Sequence, residues 1–178
     1  MRVLKSFLLL CCLCACEKAD NTFAGLPARF TWTNVLEVPE LRIACEAQGE
    51  YCMIYRSSSV ESGTPYFVCQ NIKTTTERPC SAIQGYSGFH LGVSGLIVGQ
   101  PLIPFIERSI ICYDAVCRYC YDNSIYKRLT FKSNSEAKCP TCGRVYDLNN
   151  WGRTDTGERL LMYRASYSAA SHTLVISN

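Results

Sequence analysis

The chain has 178 residues, 48% hydrophobic and 19% charged, enough for one packed domain and too apolar for wholesale disorder. Its formal charge is +3, and removing an N-terminal segment that carries Arg2 and Lys5 but no acid leaves +1, which excludes the electrostatic footprint of a nucleic-acid binder. Thirteen cysteines remain to be explained chemically.

Residues 1–15 have the layout of a secretory signal: two early cations, then the apolar run "FLLLCCLCA", too short to span a bilayer as a stop-transfer helix. The run ends Leu13, Cys14, Ala15, Cys16, which resembles the bacterial lipobox, and this resemblance makes Cys16 the expected lipidation site. Cleavage near Ala15 or Ala19 by a conventional signal peptidase is the alternative. Residues 16–29, including "EKADNTFAGLPARF", mix charge, Asn, Gly and Pro without hydrophobic period and read as a tether. The expected location is the bacterial cell envelope, with lipid on Cys16 holding the protein to a membrane, the outer one in the expected case.

From residue 30 to 178 short β-rich runs follow one another between turn residues: "EYCMIYR", "PYFVCQ", "GFHLGVSGLIVG", "RSIICYD", "YKRLTF", "RVYDL", "LLMYRASY" and "HTLVIS". No amphipathic helix stands out among them. The expected class is therefore all-β, an antiparallel sandwich or small barrel, with a metal-binding subdomain at about 112–150. The glycine series Gly85, Gly88, Gly92, Gly95, Gly99 is not followed by a helix, so bulges and close strand packing explain it better than a phosphate loop.

The cysteines divide by position. Cys11, Cys12 and Cys14 fall in the signal, Cys16 takes lipid, and Cys117, Cys120, Cys139 and Cys142 form two C-x2-C pairs 18 residues apart. That spacing is specific for a metal site, because each tight turn converges two thiolates and two turns complete a tetrahedron. Pro140 stiffens the second turn and Gly143 permits a left-handed backbone after its last sulfur. Neither pair is expected to open a helix. Two disulfides are the alternative in an oxidising compartment. Cys45, Cys52, Cys69, Cys80 and Cys112 make an odd set, so at least one stays a thiol in a monomer; Cys69 and Cys112 read as buried small hydrophobes, and Cys45 and Cys52 flank a turn around Gly49 across which a disulfide is a lesser option.

The segments "AKCPTCGRVYDLNNWGRTDTGERLLMYRASY" and "HTLVIS", with "SGLIVGQPLIPFIERSIICYDAVCRYC" upstream, resemble a Rieske domain over residues 85 to 178. The resemblance implies a Rieske-like β fold. It places Cys117 and Cys139 on the family's two cysteine ligands and Cys142 on its second histidine, while the first histidine would fall at Tyr119, one residue before Cys120. His90 and His172 lie elsewhere, in a strand-like run and a hairpin turn. Without two histidines on one iron, the high-potential cluster is not inherited. Four thiolates suit Zn(II) foremost, with an all-cysteine [2Fe-2S] cluster or mononuclear, rubredoxin-like iron as alternatives. The expected function is a zinc-closed binding module with an unidentified protein or small-molecule partner and no catalytic residues; electron transfer is the alternative. Tyr113, Tyr119, Tyr121, Tyr126 and Tyr146, near the cysteine loops, are expected either to shield the site or stack on a ligand or to sit in half-buried strands, and Arg118 and Arg144 read as solvated.

Overall fold

The computed structural model describes residues 23–80, 88–104 and 109–178. The signal, Cys16 and Gly85 lie outside them. Twelve strands in chain order are β1 (Ala28–Trp32), β2 (Tyr51–Ser58), β3 (Pro65–Gln70), β4 (Thr75–Pro79), β5 (His90–Leu91), β6 (Leu96–Gly99), β7 (Ile111–Asp114), β8 (Thr130–Phe131), β9 (Glu136–Lys138), β10 (Val145–Asp147), β11 (Met162–Ser168) and β12 (Thr173–Ser177). Nine form one antiparallel sheet in the order β4-β3-β2-β6-β7-β11-β12-β1-β5, and β10-β9-β8 form a second.

The large sheet curls on itself. Phe30 of β1 and Phe67 of β3, far apart in strand order, bring their rings to 5.5 Å, and Phe89 packs 5.0 Å from Phe30. No ladder joins β4 to β5 among the described residues, so the curl is open and the expected barrel does not close.

The central strands read as unbroken apolar runs because they are buried on both faces. Cys52, Ile54, Leu96, Val98 and Cys112 point into the curl, whereas Tyr51, Met53, Ile97, Ile111 and Tyr113 face the small sheet and join a second core with Leu129, Ala137, Tyr146 and Leu148. Towards the edge the pattern reverts to alternation, as in β12, where Leu174 and Ile176 are buried and Val175 is exposed. Two buried tyrosines stitch the sheets together: the Tyr51 and Tyr113 hydroxyls each donate to the Leu148 carbonyl at 3.0 Å.

Among the described residues two α-helices, with a 3-10 turn at Val35–Glu37 before the first, correct the all-strand expectation. Helix α1 (Pro39–Glu46) starts with Pro39 and sets Leu41, Ala44 and Cys45 on one face, where they cap the core of the curl against β2, β3 and β6. Two turns are too short for hydrophobic periodicity to declare them. Cys45 and Cys52 therefore lie on a helix and a strand rather than across a hairpin, and both are free thiols, like Cys69 and Cys112; these four and Cys80 are fully buried. Helix α2 (Arg118–Asp122) begins immediately after Cys117, so the first cysteine pair does open a helix, contrary to the sequence reading.

The run "GFHLGVSGLIVG" also breaks into β5 and β6 instead of one strand. Gly92 and Gly95 carry φ of 65° and 120°, and a β-carbon on Gly92 would collide with the Asp114 carboxylate and the Tyr163 hydroxyl.

Candidate metal centre

Each cysteine pair is delivered by a turn whose backbone bonds are internal. The first leaves β7: Cys117 accepts the Tyr121 N–H at its carbonyl, 2.9 Å, and its own N–H donates to Lys127 O at 3.2 Å, placing Cys120 one turn into α2. The second turns between β9 and β10, with Cys139 N–H on Arg144 O at 2.9 Å and Gly143 N–H on Cys139 O at 3.0 Å. Gly143 has φ 76°, the left-handed conformation its position demands.

The four sulfurs lie within 4.8 Å of one another. Cys117 Sγ is 3.6 Å from Cys142 Sγ, and Cys120 Sγ is 3.7 Å from Cys139 Sγ. A disulfide requires about 2.05 Å. Four sulfurs around one ion at about 2.3 Å from each would sit about 3.8 Å apart, so these separations suit a shared metal ion. Cys117, Cys120 and Cys139 are buried and Cys142 is partly exposed; neither His90 nor His172 belongs to the group.

Polar groups around the sulfurs prepare them for negative charge. The Tyr146 hydroxyl is 3.3 Å from Cys117 Sγ and 3.5 Å from Glu158 Oε2, and the Cys142 N–H donates to Cys139 Sγ at 3.5 Å. Arg144 is not a solvated cation. Its guanidinium stacks 3.4 Å from the Tyr119 ring centroid, pairs with Glu158 at 3.1 Å and reaches Cys142. Burial raises the Cys142 thiol, but the Arg144 N–H and guanidinium, with Cys117 and Cys139, bring it down to about 7. Burial pushes Cys117 and Cys120 upward instead. Such donors orient ligating groups and tune their basicity.

Tyr119 and Tyr121 sit on α2 rather than on strands. Tyr119 covers the site's outer side with Arg144, and Tyr121 packs edge-on against Tyr126 at 5.7 Å. Arg118 pairs with Asp122 at 2.8 Å. Beside α2 lies a cleft of about 630 Å³ lined by Phe23, Arg118, Tyr121, Asp122, Arg159 and Met162 among others.

Of the tyrosines expected near the cysteine loops, Tyr146 is the one that reaches Cys117 Sγ; sequence reading missed Glu158, beside it, and Asp114, at the base of the first ligand turn. Asp114, at the end of β7, accepts from Val93 N–H at 2.7 Å, Tyr163 O–H at 2.7 Å, Val116 N–H at 2.8 Å and Ser94 N–H at 3.3 Å, clamping the start of the first ligand turn to β11 and the β5–β6 turn. Burial raises its carboxyl, and those four donors only partly offset the shift. The signal available was a single acid closing an apolar run, which reads equally as a strand boundary.

Fold and site together define a β-rich protein with two sheets and a compact four-cysteine cluster able to hold a metal ion, the generic layout of a metal-binding or interaction module. No family model matches the sequence, and no curated protein matches it.

Proposed function

We propose that the protein is a lipid-anchored envelope module of Rieske-like build, in which Cys117, Cys120, Cys139 and Cys142 hold one structural Zn(II) and the surrounding surface binds a partner. The carrying observation is the set of four sulfurs within 4.8 Å, three of them buried. A single tetrahedral ion accounts for this tightness better than a two-iron cluster, whose irons divide the sulfurs into separated pairs. Four protein thiolates leave no open coordination position, so the ion serves structure and not hydrolysis. Arg144, which also pairs with Glu158, offsets part of the site's formal charge of about −2 at its exposed corner. The Rieske-like assignment is supported by the sequence segments that carry the resemblance, with two cysteines where the family's pattern would have one ligand pair of mixed type.

Purified protein should be colourless and contain one zinc per chain. Iron with visible charge-transfer bands would replace this reading with the second one, one-electron transfer through mononuclear or clustered iron. The partial exposure of Cys142 favours that second reading, because it gives an electron a short path to the surface. Anchoring has its own test: Cys16→Ser should release the protein from the membrane fraction or leave its signal uncut, and an unchanged mass and location would remove the lipid from the account.

A further inference from the structure

We propose that residues 101–104, which follow β6 and carry Leu102 and Ile103, rest in the lipid interface at the end of the sheet from which the chain departs towards Cys16. The inference builds on the acylation of Cys16 proposed above. Ile103 is 79% exposed and Leu102 59%, two adjacent aliphatic side chains left in water. Pro101 and Pro104 bracket them and carry no N–H, which lowers the number of backbone donors that a lipid environment would leave unsatisfied.

The location of the loop selects its occupant. Tyr51, Gly99 and Ile111 lie in register across β2, β6 and β7, and Tyr163 opposite Cys112 puts Arg164 of β11 next in that row. β6 ends at Gly99 in this row, and Leu102 follows three residues later, against Gly49 just before β2. The N-terminal arm runs along the same end: Ala24 N–H donates to Met162 O at 2.9 Å, and the Arg164 guanidinium lies 4.5 Å from the Phe23 ring centroid. Loop and arm are thus two to three strand spacings apart across the sheet and about four residues apart along it, about 15–20 Å in all.

Cys16 precedes Phe23 by seven residues, which span at most about 25 Å even when extended. An acylated Cys16 therefore holds this end of the sheet near the bilayer. The opposite end, where fully exposed Val60 tips the β2–β3 hairpin, is about 30 Å further along β2. Arg164 and Arg29, both aligned with Ser177, add cations on the row for anionic headgroups. Among the described residues Glu50 is an acid at this end, and Asn134 Nδ2 donates to it at 2.8 Å.

The test uses mature, acylated protein in phosphatidylethanolamine/phosphatidylglycerol vesicles with brominated acyl chains. Tryptophan emission is compared between the Ile103→Trp and Val60→Trp variants, with the Trp32 and Trp151 background taken from unsubstituted protein. Both sites are exposed, so neither change disturbs packing, and matching circular dichroism checks this. The added emission of Ile103→Trp should fall at least twofold with brominated lipid, while that of Val60→Trp stays constant. Acylated protein in which neither variant is quenched, or in which Ile103→Trp is already shielded from acrylamide without vesicles, overturns the docking proposal alone. Protein lacking acyl chains on Cys16 overturns the anchoring reading and this proposal together.

Discussion

Cys142 and Cys112 separate ligand chemistry from packing at the scale of single residues. Both are cysteines without a disulfide, yet Cys142 Sγ stands 3.6 Å from Cys117 Sγ, whereas Cys112 Sγ meets the Tyr113 carbonyl at 3.8 Å and lies outside the four-sulfur group. Cys142→Ser should release the metal and lower the melting temperature well beyond a surface substitution, since structural zinc is worth on the order of 10 kcal/mol in isolated small domains. Cys142→His should retain more metal than Cys142→Ser, because imidazole also completes a tetrahedral shell. Cys112→Ser should keep full metal content at a packing cost. Metal content and thermal melts of the three variants check the set; unchanged metal and melting in Cys142→Ser would refute the shared site. The spacing of these four cysteines was legible in the sequence because a C-x2-C turn is local. A place for Tyr146 near the site was legible too, but its contact with Cys117 was not, because it spans 29 residues and depends on how β10 lies beside the first ligand turn.

The seam between the two sheets sets the behaviour of whole elements. β2 and β7 each send one tyrosine hydroxyl to the same carbonyl, that of Leu148 just after β10. With one tyrosine removed the carbonyl still has a partner, so Tyr51→Phe or Tyr113→Phe should each cost about 1 kcal/mol. Removing both strands a buried acceptor, at a further cost of about 1–3 kcal/mol, so the double variant should lose more than the singles combined. Urea unfolding of the four proteins closes the cycle, and strict additivity would show that the seam relies on other contacts. Strand elements were largely legible, since β3 coincides with "PYFVCQ" and β12 with most of "HTLVIS". Helix α1 was not: eight residues with three apolar anchors declare their period only once β2, β3 and β6 supply the surface those anchors cover.

Across the whole molecule, the two cores should respond differently to loss of metal. The core inside the curl contains none of the four paired cysteines, while the core between the sheets includes Cys117, Cys120 and Cys139, with Cys142 packed against it. Three strands of two or three residues bury too little to hold themselves together. Chelation should therefore strip amide protection from residues 116–148 and leave β1, β11 and β12 protected. Hydrogen exchange with mass spectrometry at matched pH distinguishes this from global unfolding, in which protection would vanish everywhere together.

By itself the sequence determined the strand-rich character, the two convergent cysteine turns and the left-handed glycine after the second, because each depends on neighbours a few residues apart. Tertiary structure alone decided that the sheet curls without closing, since closure depends on whether β4 and β5, its outermost strands, meet. It also turned the unbroken apolar runs of β2, β6 and β7 into a wall between two cores, and gave Asp114 four donors drawn from three separate segments. Side-chain period reports which face of a strand is apolar. What covers that face is set by distant chain, 97 residues away in the case of Leu148 and Tyr51.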